Sequence, residues 1–405
     1  MTVVLGTRLN FMTQLRSIAV VMSHGTSFTR GVLAGICGYM QDKTDWVIVP
    51  FLSEARGLAS ARCRSCSGLI GYLYSPALMA AVEKLKIPAV TVQGAPSKLP
   101  LPRVVVDDDA VGRQAAEHFL ERGFLQFAFV GLERADYSEA RRNGFARRLL
   151  ENGLPSEQFL YSGVPNRGRE FTLLEKVPGL EKWLANEARP LAIFAANATI
   201  GFHVSNACRK IGLRIPEDVA LLDVDNDELL SQFCQPPNSS VALATHRMGF
   251  ESARMLDRLM SGDTLQNTTL AIPPIGVVVR QSTDTTATDD LDIVKAVRFI
   301  RQAEGAAVSV GDIIEHVALS RSTLDRKFQK LVGHTLAEEI RRTRRERAKT
   351  LLAGTDMSIA YVAEKSGYSG NVELSVDFKN HLHVTPSQYR QQFQLPGHSP
   401  NGSHP

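Results

Sequence analysis

The sequence lacks the motifs on which several enzyme classes depend. Among its 405 residues there is no Walker phosphate loop, GxSxG elbow, HExxH helix or GxGxxG fingerprint. It also lacks an apolar run of eighteen residues and a secretory signal with a small-residue cleavage site. We therefore expect no enzyme, no cofactor and no membrane span, and a place in the cytoplasm.

Cysteine is scarce too. Of the five cysteines, only Cys63 and Cys66 have the CxxC spacing of a redox or zinc pair. No second CxxC or histidine pair accompanies them, so we expect reduced thiols and no metal site. The acidic run Asp107-Asp108-Asp109 could be a cation site or a pair of catalytic carboxylates. We favour a helix start, with Asp109 as the cap and the others at its positive end.

Two helix-turn-helix patterns follow each other within residues 291–390. In the first, a helical pattern over residues 311–318 breaks before a second helix over residues 321–328. In the second, residues 358–368 precede a helix over residues 372–379. Two DNA-reading helices in one polypeptide are the economical interpretation.

Turn residues and charge agree with this interpretation. Ser320 is a natural N-cap, and Gly367 stands where a turn needs a positive φ. An arginine-rich helix over residues 340–352 joins the units and is predicted to turn a dense cationic surface outward. Residues 291–393 contain 16 Lys and Arg but 12 Asp and Glu, so their net charge of +4 equals that of the whole chain. Phosphate binding requires such a basic segment.

Apolar positions of each unit form one stripe, so the polar side chains of the opposite face are the candidates for DNA contact. They are Arg321, Ser322, Thr323, Arg326, Lys327, Lys330, Arg341, Ser369, Asn371, Glu373 and Lys379. We expect base reading from Arg321, Arg326, Asn371 and Glu373. Phosphate contacts are expected from Lys327, Lys330, Arg341 and Lys379.

The C-terminal segment resembles the AraC/XylS family of transcription regulators, whose hallmark is this tandem unit. Two positions depart from the family pattern, since Leu374 replaces a usual aromatic residue and His383 a common glycine. The resemblance implies sequence-specific binding of double-stranded DNA. It rests on residues 347–352, 358–359, 367–368, 378–379, 385–386 and 389–390.

Upstream, short apolar segments alternate with helical patterns, which predicts parallel sheets flanked by helices. In such sheets, ligands bind beyond the carboxyl ends of the strands. The strand candidates are residues 18–22, 46–49, 68–71, 89–92, 127–131, 192–195 and 219–222.

Residues 16–280 resemble the LacI/GalR regulators and the periplasmic sugar-binding proteins, in which two lobes close over a small molecule. The resemblance is carried by residues 106–123, 141–145, 196–201, 212–219 and 223–226. It implies ligand contacts from Arg141, Asn197 and Asp225, with His24, Phe28 and Thr29 lining the other lobe. A guanidinium, an amide and a carboxylate suit a polyol.

Each of the three ligand candidates has a purely structural alternative. Arg141 could be a surface ion pair, Asn197 a helix cap and Asp225 a turn former. Their shared position beyond strand ends favours a pocket.

The combination of a LacI/GalR-like sensor with an AraC-type domain in one chain resembles xylose-responsive regulators of the same architecture. It implies D-xylose as the effector, a homodimer, RNA polymerase as a partner, and action as an activator on the bacterial nucleoid. These regulators have an acidic residue at the position of Thr29, so the identity of the sugar stays open. Action as a repressor, and a sugar-binding protein whose C-terminal domain is an interaction module without DNA function, are the alternatives.

The expected organisation has five segments. An N-terminal extension (1–15) precedes an α/β, two-lobed, periplasmic-binding-protein-like sensor (16–282). A linker (283–290) leads to the all-α domain with two helix-turn-helix units (291–393), followed by a disordered tail (394–405). Residues 1–11 match neither family, so Met12 is an alternative start to Met1.

Overall fold

The structure is a computed structural model. Several segments that the sequence predicts at the two ends of the chain and between its two parts lie outside the residues it describes. This is so for the possible start at Met12, nearly all of the extension, most of the linker and the tail. The described residues are 15–393 apart from 24, 42, 44, 52–57, 59–60, 74–75, 94–100, 134, 156, 162–176, 266–267, 285–289, 303–307 and 332–333.

The first lobe is built on a sheet of six parallel strands. In chain order these are β1 (Arg16–Val21), β2 (Trp46–Phe51), β3 (Gly68–Gly71), β4 (Ala89–Val92), β5 (Arg103–Val106) and β11 (Thr269–Ile272), arranged as β11-β5-β4-β3-β1-β2. The helices of this lobe are α1 (Ser27–Met40), α2 (Ala61–Arg64), α3 (Pro76–Leu85) and α9 (Thr245–Met260). Ile18 and Val20 of β1 belong to the core that includes α1 and α9, whereas Ala19 and Val21 belong to the core that includes α2 and α3. Burial on both faces explains why this strand is a continuous apolar run.

The second lobe repeats the plan with one antiparallel edge strand. Its strands are β6 (Phe127–Leu132), β7 (Glu157–Tyr161), β8 (Leu191–Ala195), β9 (Val219–Val224), β10 (Ser239–Ala242) and β12 (Gly276–Val278), in the order β12-β10-β9-β8-β6-β7. Only β12 runs antiparallel to its neighbour. The helices are α4 (Asp108–Leu120), α5 (Asp136–Leu150), α6 (Leu180–Asn186), α7 (Ala198–Lys210) and α8 (Glu228–Phe233).

The chain crosses between the lobes three times: after β5, after β10, and between β11 and β12. This arrangement confirms the predicted two-lobed α/β fold with helices flanking mostly parallel sheets. All seven strand candidates are strands. Sequence analysis missed β5, β7, β10, β11 and β12, which have three to five residues each.

The C-terminal part is helical, as predicted. It contains α10 (Leu291–Gln302), α11 (Val310–Val317), α12 (Arg321–Leu331), α13 (Leu336–Gly354), α14 (Ile359–Lys365), α15 (Asn371–Leu382) and α16 (Pro386–Phe393). Gly367 has a φ of 85°, which confirms the expected left-handed turn between α14 and α15. Ala318 takes the equivalent conformation in the first unit, with a φ of 60°.

Helices α4 and α5 approach each other through two glycines. A Cβ on Gly112 would stand 2.0 Å from the carbonyl oxygen of Arg141, and one on Gly144 would stand 2.2 Å from that of Asp109. The start of α4 is fixed by Asp107, whose carboxylate accepts from the backbone N–H of Ala110 at 3.0 Å. The expected cap at Asp109 is therefore wrong by two residues, because the helix begins earlier than predicted. The close crossing holds the first turn of α4 beside α5.

We expect Gly112→Ala to destabilise the sensor, because its Cβ would overlap backbone and force the two helices apart. A loss of several degrees in melting temperature, measured by calorimetry, is the expected result. The control is Gly311→Ala in α11, where only the Ser309 hydroxyl lies near, at 3.4 Å. That variant should melt at or above the temperature of the wild type. Equal melting temperatures for the two variants would contradict the crossing described above.

Strand β9 carries a buried carboxyl group. Asp223 is 4% exposed and accepts a hydrogen bond from the side-chain amide of Asn238 at 3.0 Å. Burial raises the pKa of Asp223 to about 7, although Ser240 and Asn238 oppose the shift by hydrogen bonding. The folded protein therefore holds a proton that the unfolded chain releases at lower pH.

The raised pKa of Asp223 predicts a pH-dependent stability. The pKa of an aspartate in the unfolded chain is about 4. The free energy that protonated Asp223 contributes to folding is therefore fully present below that pH and is lost as the pH rises to about 7. Asp223→Asn stays neutral, so its melting temperature should exceed that of the wild type at about pH 8 and the difference should shrink towards about pH 4. Exposed Asp263, which pairs with Arg258, supplies the control Asp263→Asn. A constant difference at every pH would contradict the assignment.

Candidate ligand site and nucleic-acid interface

The side chain of Arg141 lies buried between the ends of several elements of the second lobe. It is 3% exposed, and its Nε donates to the Asp108 carboxylate at 2.8 Å. One terminal nitrogen donates to the carbonyl oxygen of Ala196, directly after β8, at 2.6 Å. The guanidinium lies over the ring of Tyr137, 5.0 Å from its centroid. Arg141 is therefore not a surface ion pair, the alternative that the sequence left open.

The charge of Arg141 is kept by two carboxylates. Burial alone would lower the pKa of this guanidinium, but Asp108 and Asp225 outweigh burial and hold the pKa above its ordinary value. The group is thus a permanent cation inside the lobe. A planar fork of donors in such a place favours a ligand with several oxygen atoms.

Asp225 follows β9 directly and has an unusual backbone. Its φ is 90°, and its backbone N–H donates to the carbonyl oxygen of Val241 at 3.1 Å. Asn226 next to it also has a positive φ, of 47°. Burial raises the pKa of Asp225, while Arg141 opposes that shift. The residue forms a turn and contributes a partly buried charge near Arg141, so the turn and the ligand contact that the sequence suggested are compatible.

Asn197 serves two purposes at the start of α7. Its side-chain oxygen caps the helix by accepting from the backbone N–H of Ile200 at 2.8 Å, while its amide donates to the hydroxyl of Tyr137 at 3.0 Å. Burial raises the pKa of Tyr137 to about 12, so this tyrosine stays neutral. Sequence analysis missed Tyr137 and Asp108. Tyr137 could have been found from its spacing of four residues before Arg141, which places the two side chains on one face of a helix.

The first lobe faces this cluster with the start of α1. Phe28 lies 6.0 Å, centroid to centroid, from the ring of Tyr72, which follows β3. Thr29 is 1% exposed, and its hydroxyl is used in the capping box of α1, 3.0 Å from the hydroxyl of Thr26. The structure thus gives Thr29 a role in the helix cap that the sequence did not predict. His24 lies outside the described residues.

The two lobes touch beside the cluster. The backbone N–H of Ser27 donates to the Asp227 carboxylate at 3.3 Å, and the Ser27 hydroxyl donates to the carbonyl oxygen of Asp225 at 3.3 Å. Arg30 lies 3.7 Å from the same Asp227 carboxylate. These contacts join α1 of one lobe to the loop after β9 of the other.

In the first helix-turn-helix unit, most of the predicted DNA contacts are exposed. The hydroxyl of Ser320 caps α12 by accepting from the backbone N–H of Thr323 at 3.3 Å, as expected. Lys327 is different, because its ammonium lies 2.8 Å from Asp290 and 2.7 Å from Asp292. These carboxylates link α12 to the start of α10. They pair with the ammonium group of Lys327, for which the sequence predicts a phosphate contact. Arg321, Ser322, Arg326 and Lys330 are the exposed ones.

In the second unit, two predicted residues bind each other. The carboxylate of Glu373 accepts from the backbone N–H of Ser369 at 2.7 Å and from its hydroxyl at 2.8 Å. This local pairing closes the turn before α15 and lowers the pKa of Glu373. Glu373 thus has a structural role in addition to the expected base reading. Asn371 and Lys379 are exposed on α15.

The arginines of α13 join parts of the molecule. Arg345 forms two hydrogen bonds with Asp377 of α15, at 2.8 and 3.1 Å. Arg344 donates to the carbonyl oxygen of Val308, just before α11, at 2.9 Å. The predicted outward cationic surface is therefore wrong for these side chains, which turn towards both units because carboxylate and carbonyl groups face them. Arg341 remains half-exposed and pairs with Glu338 at 2.7 Å within α13.

The helical part also rests on the sensor. The hydroxyl of Tyr389 donates to the carbonyl oxygen of Ile275 at 2.6 Å, and Arg342 pairs with Glu121 after α4. Ala348 and Leu352 of α13 belong to a core that continues into the sensor. Ile275 lies on the chain crossing between β11 and β12, so the DNA-binding part contacts a segment that joins the lobes.

Other candidate sites of the sequence have simpler structures. Cys63 and Cys66 are buried, and burial raises the pKa of the Cys63 thiol to about 11. Within the described ranges, no group of three or more His, Cys, Asp and Glu is placed to hold a metal ion. Nor do those ranges contain a helix whose length and apolarity would let it cross a membrane.

Two known protein families match separate parts of the chain. The periplasmic binding protein-like domain matches residues 116–283. The helix-turn-helix domain matches residues 313–392. The matches fall on the two-lobed part and on the helical part described above.

Relatives of nearly full length combine both parts. The xylose operon regulatory protein of Haemophilus influenzae is 28% identical over 385 residues, covering 93% of this chain and 98% of the relative. The protein of the same name from Escherichia coli K12 is 26% identical, covering 93% of this chain and 97% of the relative. A solved structure of the xylose-binding transcription activator xylR shares the fold, with a TM-score of 0.59, 24% identity, and coverage of 93% of this chain and 98% of that one. The chain thus combines a periplasmic binding protein-like domain with a helix-turn-helix domain, and it is similar over nearly its whole length to regulatory proteins.

Proposed function

We propose that this regulator senses a pentose, D-xylose, and activates genes for its use by binding their promoter DNA as a homodimer. The observation that carries the sensing role is the buried guanidinium of Arg141, held with Asp108 and Asp225 where the two lobes meet. Its working place is the bacterial cytoplasm, on nucleoid DNA.

The chemistry of the cluster fits a small polyol. Arg141 donates, the carboxylate of Asp225 accepts hydroxyl protons, and the amide of Asn197 can do both. Phe28 and Tyr72 in the opposite lobe offer apolar ring surface to the carbon side of a sugar. Convergent polar groups with aromatic surface opposite are typical of small-molecule sites.

The names of the relatives support D-xylose as the effector. The proteins from Haemophilus influenzae and Escherichia coli are called xylose operon regulatory proteins. The presence of Thr29 instead of an acidic residue is weaker evidence against D-xylose than the sequence suggested, because Thr29 occupies the third helical position of a capping box. An acidic residue serves that position equally well. We therefore infer that the change at Thr29 leaves the sugar specificity intact.

The DNA-binding role is supported by two helices in tandem, each of which exposes polar side chains. Arg326 lies exposed on α12, and Asn371 lies exposed at the start of α15. We infer that each helix enters a major groove, with the two helices about 34 Å apart along the duplex. Lys330 and Lys379 would then approach phosphates.

Contacts between the parts suggest how sugar binding reaches DNA. Tyr389 contacts the chain crossing between β11 and β12 at Ile275, and α13 contacts the adjoining strand β12. Lobe closure changes the geometry of such a crossing, so we infer that it shifts a pre-existing equilibrium of helix-turn-helix positions. In the dimer, the favoured position would match paired half-sites and place the protein beside RNA polymerase.

Thermal melting with a panel of pentoses and hexoses tests the sensing role. We expect D-xylose to raise the melting temperature by several degrees, since about 100 times Kd stabilises by about 2.7 kcal/mol. Arg141→Lys keeps the charge but loses the planar fork, so it should lose most of the shift. Arg142→Lys is the matched control, because this neighbour only pairs with Glu139 at 3.6 Å. A shift with another sugar would replace D-xylose, and no shift with any sugar would contradict the sensing role.

Two substitutions on α12 separate base reading from phosphate contact. Arg326→Ala should bring the affinities for the preferred and for unrelated DNA closer together, costing about 1–3 kcal/mol on the preferred site. Lys330→Ala should weaken binding to all duplexes about equally and reduce the salt dependence by about one ion. Fluorescence anisotropy at several salt concentrations measures both. Identical effects of the two substitutions would contradict the assignment.

A further inference from the structure

The second helices of the two helix-turn-helix units correspond position by position. Helix α12 begins at Arg321 and α15 at Asn371, fifty residues later. At this offset Leu324 corresponds to Leu374 and Phe328 to Phe378, and all four side chains are fully buried. Because the buried rows coincide, the exposed rows can be compared directly.

The exposed faces of the two helices differ in chemistry. Opposite the buried row, α12 presents Ser322 and Arg326, which are exposed polar side chains. The same two positions of α15 hold Val372 and Val376, which are 78% and 52% exposed. Residues four apart on a helix lie one turn from each other on the same face. The two valines therefore form one small apolar strip at the centre of the exposed face of α15.

This strip needs an explanation that single exposed apolar residues do not. An isolated exposed side chain of this kind is ordinary, but here two β-branched residues share one helix face. Valine is also a weaker helix former than arginine, lysine, glutamine or glutamate, so helix stability does not favour it there. Glu373 beside the strip accepts two hydrogen bonds from Ser369, so this neighbouring side chain is engaged locally.

We propose that Val372 and Val376 read thymine by contact with its C5 methyl group in the major groove. This inference rests on the proposed DNA-binding function and adds a specificity to it. Apolar side chains recognise that methyl group, whereas an arginine such as Arg326 suits guanine. Lys379, exposed on the next turn of α15, supplies a cation for the flanking phosphate. The first unit thus reads a guanine-containing half of the site and the second unit a thymine-containing half.

Deoxyuridine in place of thymidine tests the inference, because it removes only the methyl group. The full-length chain first selects its preferred duplex from a random pool, and each thymine of that duplex is then replaced singly. We expect one or two replacements to weaken binding by about fourfold each, the factor for exposing one methyl group to water. Val372→Ala and Val376→Ala should weaken binding to the thymine duplex by a similar factor. They should also no longer respond to deoxyuridine at the matching position.

Leu150→Ala is the matched control, since Leu150 of α5 is 65% exposed and lies in the sensor. It should bind and respond like the wild type, and melting curves should show all variants folded. Equal deoxyuridine sensitivity in the wild type and both valine variants would overturn the inference and leave the proposed function standing. So would valine variants that bind the selected duplex like the wild type but fail to activate transcription, because the strip would then contact a protein. A pool in which the wild type enriches no sequence would overturn the proposed function itself.

Discussion

The sensor depends on the buried guanidinium of Arg141. Removing a guanidinium from water is expensive unless carboxylates and hydrogen bonds replace the lost hydration. Arg141 meets that requirement with Asp108 at 2.8 Å and the carbonyl oxygen of Ala196 at 2.6 Å. These partners come from the start of α4 and the end of β8, so one side chain fixes three elements. The glycine crossing of α4 and α5 serves the same contact, because it holds the first turn of α4, with Asp108, beside α5, which carries Arg141.

The sequence reveals which elements meet at the cleft, but not how their atoms pair. The resemblance to the LacI/GalR regulators implied that Arg141, Asn197 and Asp225 share one site, and the position of Asn197 and Asp225 beyond strand ends agrees with it, because parallel strands end at one edge. Tyr137 and Asp108 escaped that reasoning, because both sit on helices whose crossing depends on two glycines far apart in the chain. The periodicity of a sequence predicts which face of a helix is buried. It does not predict which other helix that face contacts.

Charged side chains were the least predictable part of the DNA-binding domain. Lys327 and Glu373 have the charge and spacing of DNA contacts, yet Asp290 and Asp292 hold the first and Ser369 holds the second. The pairing of Glu373 with Ser369 is of a kind common at helix starts, where carboxylates satisfy free backbone donors, whereas the partners of Lys327 come from the start of another helix. Exposure distinguishes Arg326 from Lys327 on the same helix, so we infer that Arg326 is the better candidate for a DNA contact.

The same reasoning separates the two roles of the long helix α13. Its arginines look in sequence like a phosphate-binding surface, but Arg345 binds Asp377 of the second unit and Arg342 binds Glu121 of the sensor. A helix that is bonded at once to a recognition helix and to the sensor moves with both. The Arg345–Asp377 pair is nearly buried and resists small displacements, because breaking it leaves an unpaired charge, whereas Glu121 is about half exposed. We infer that movement of the crossing near Ile275 reaches the recognition helices as a shift of whole helices, with DNA affinity following their position.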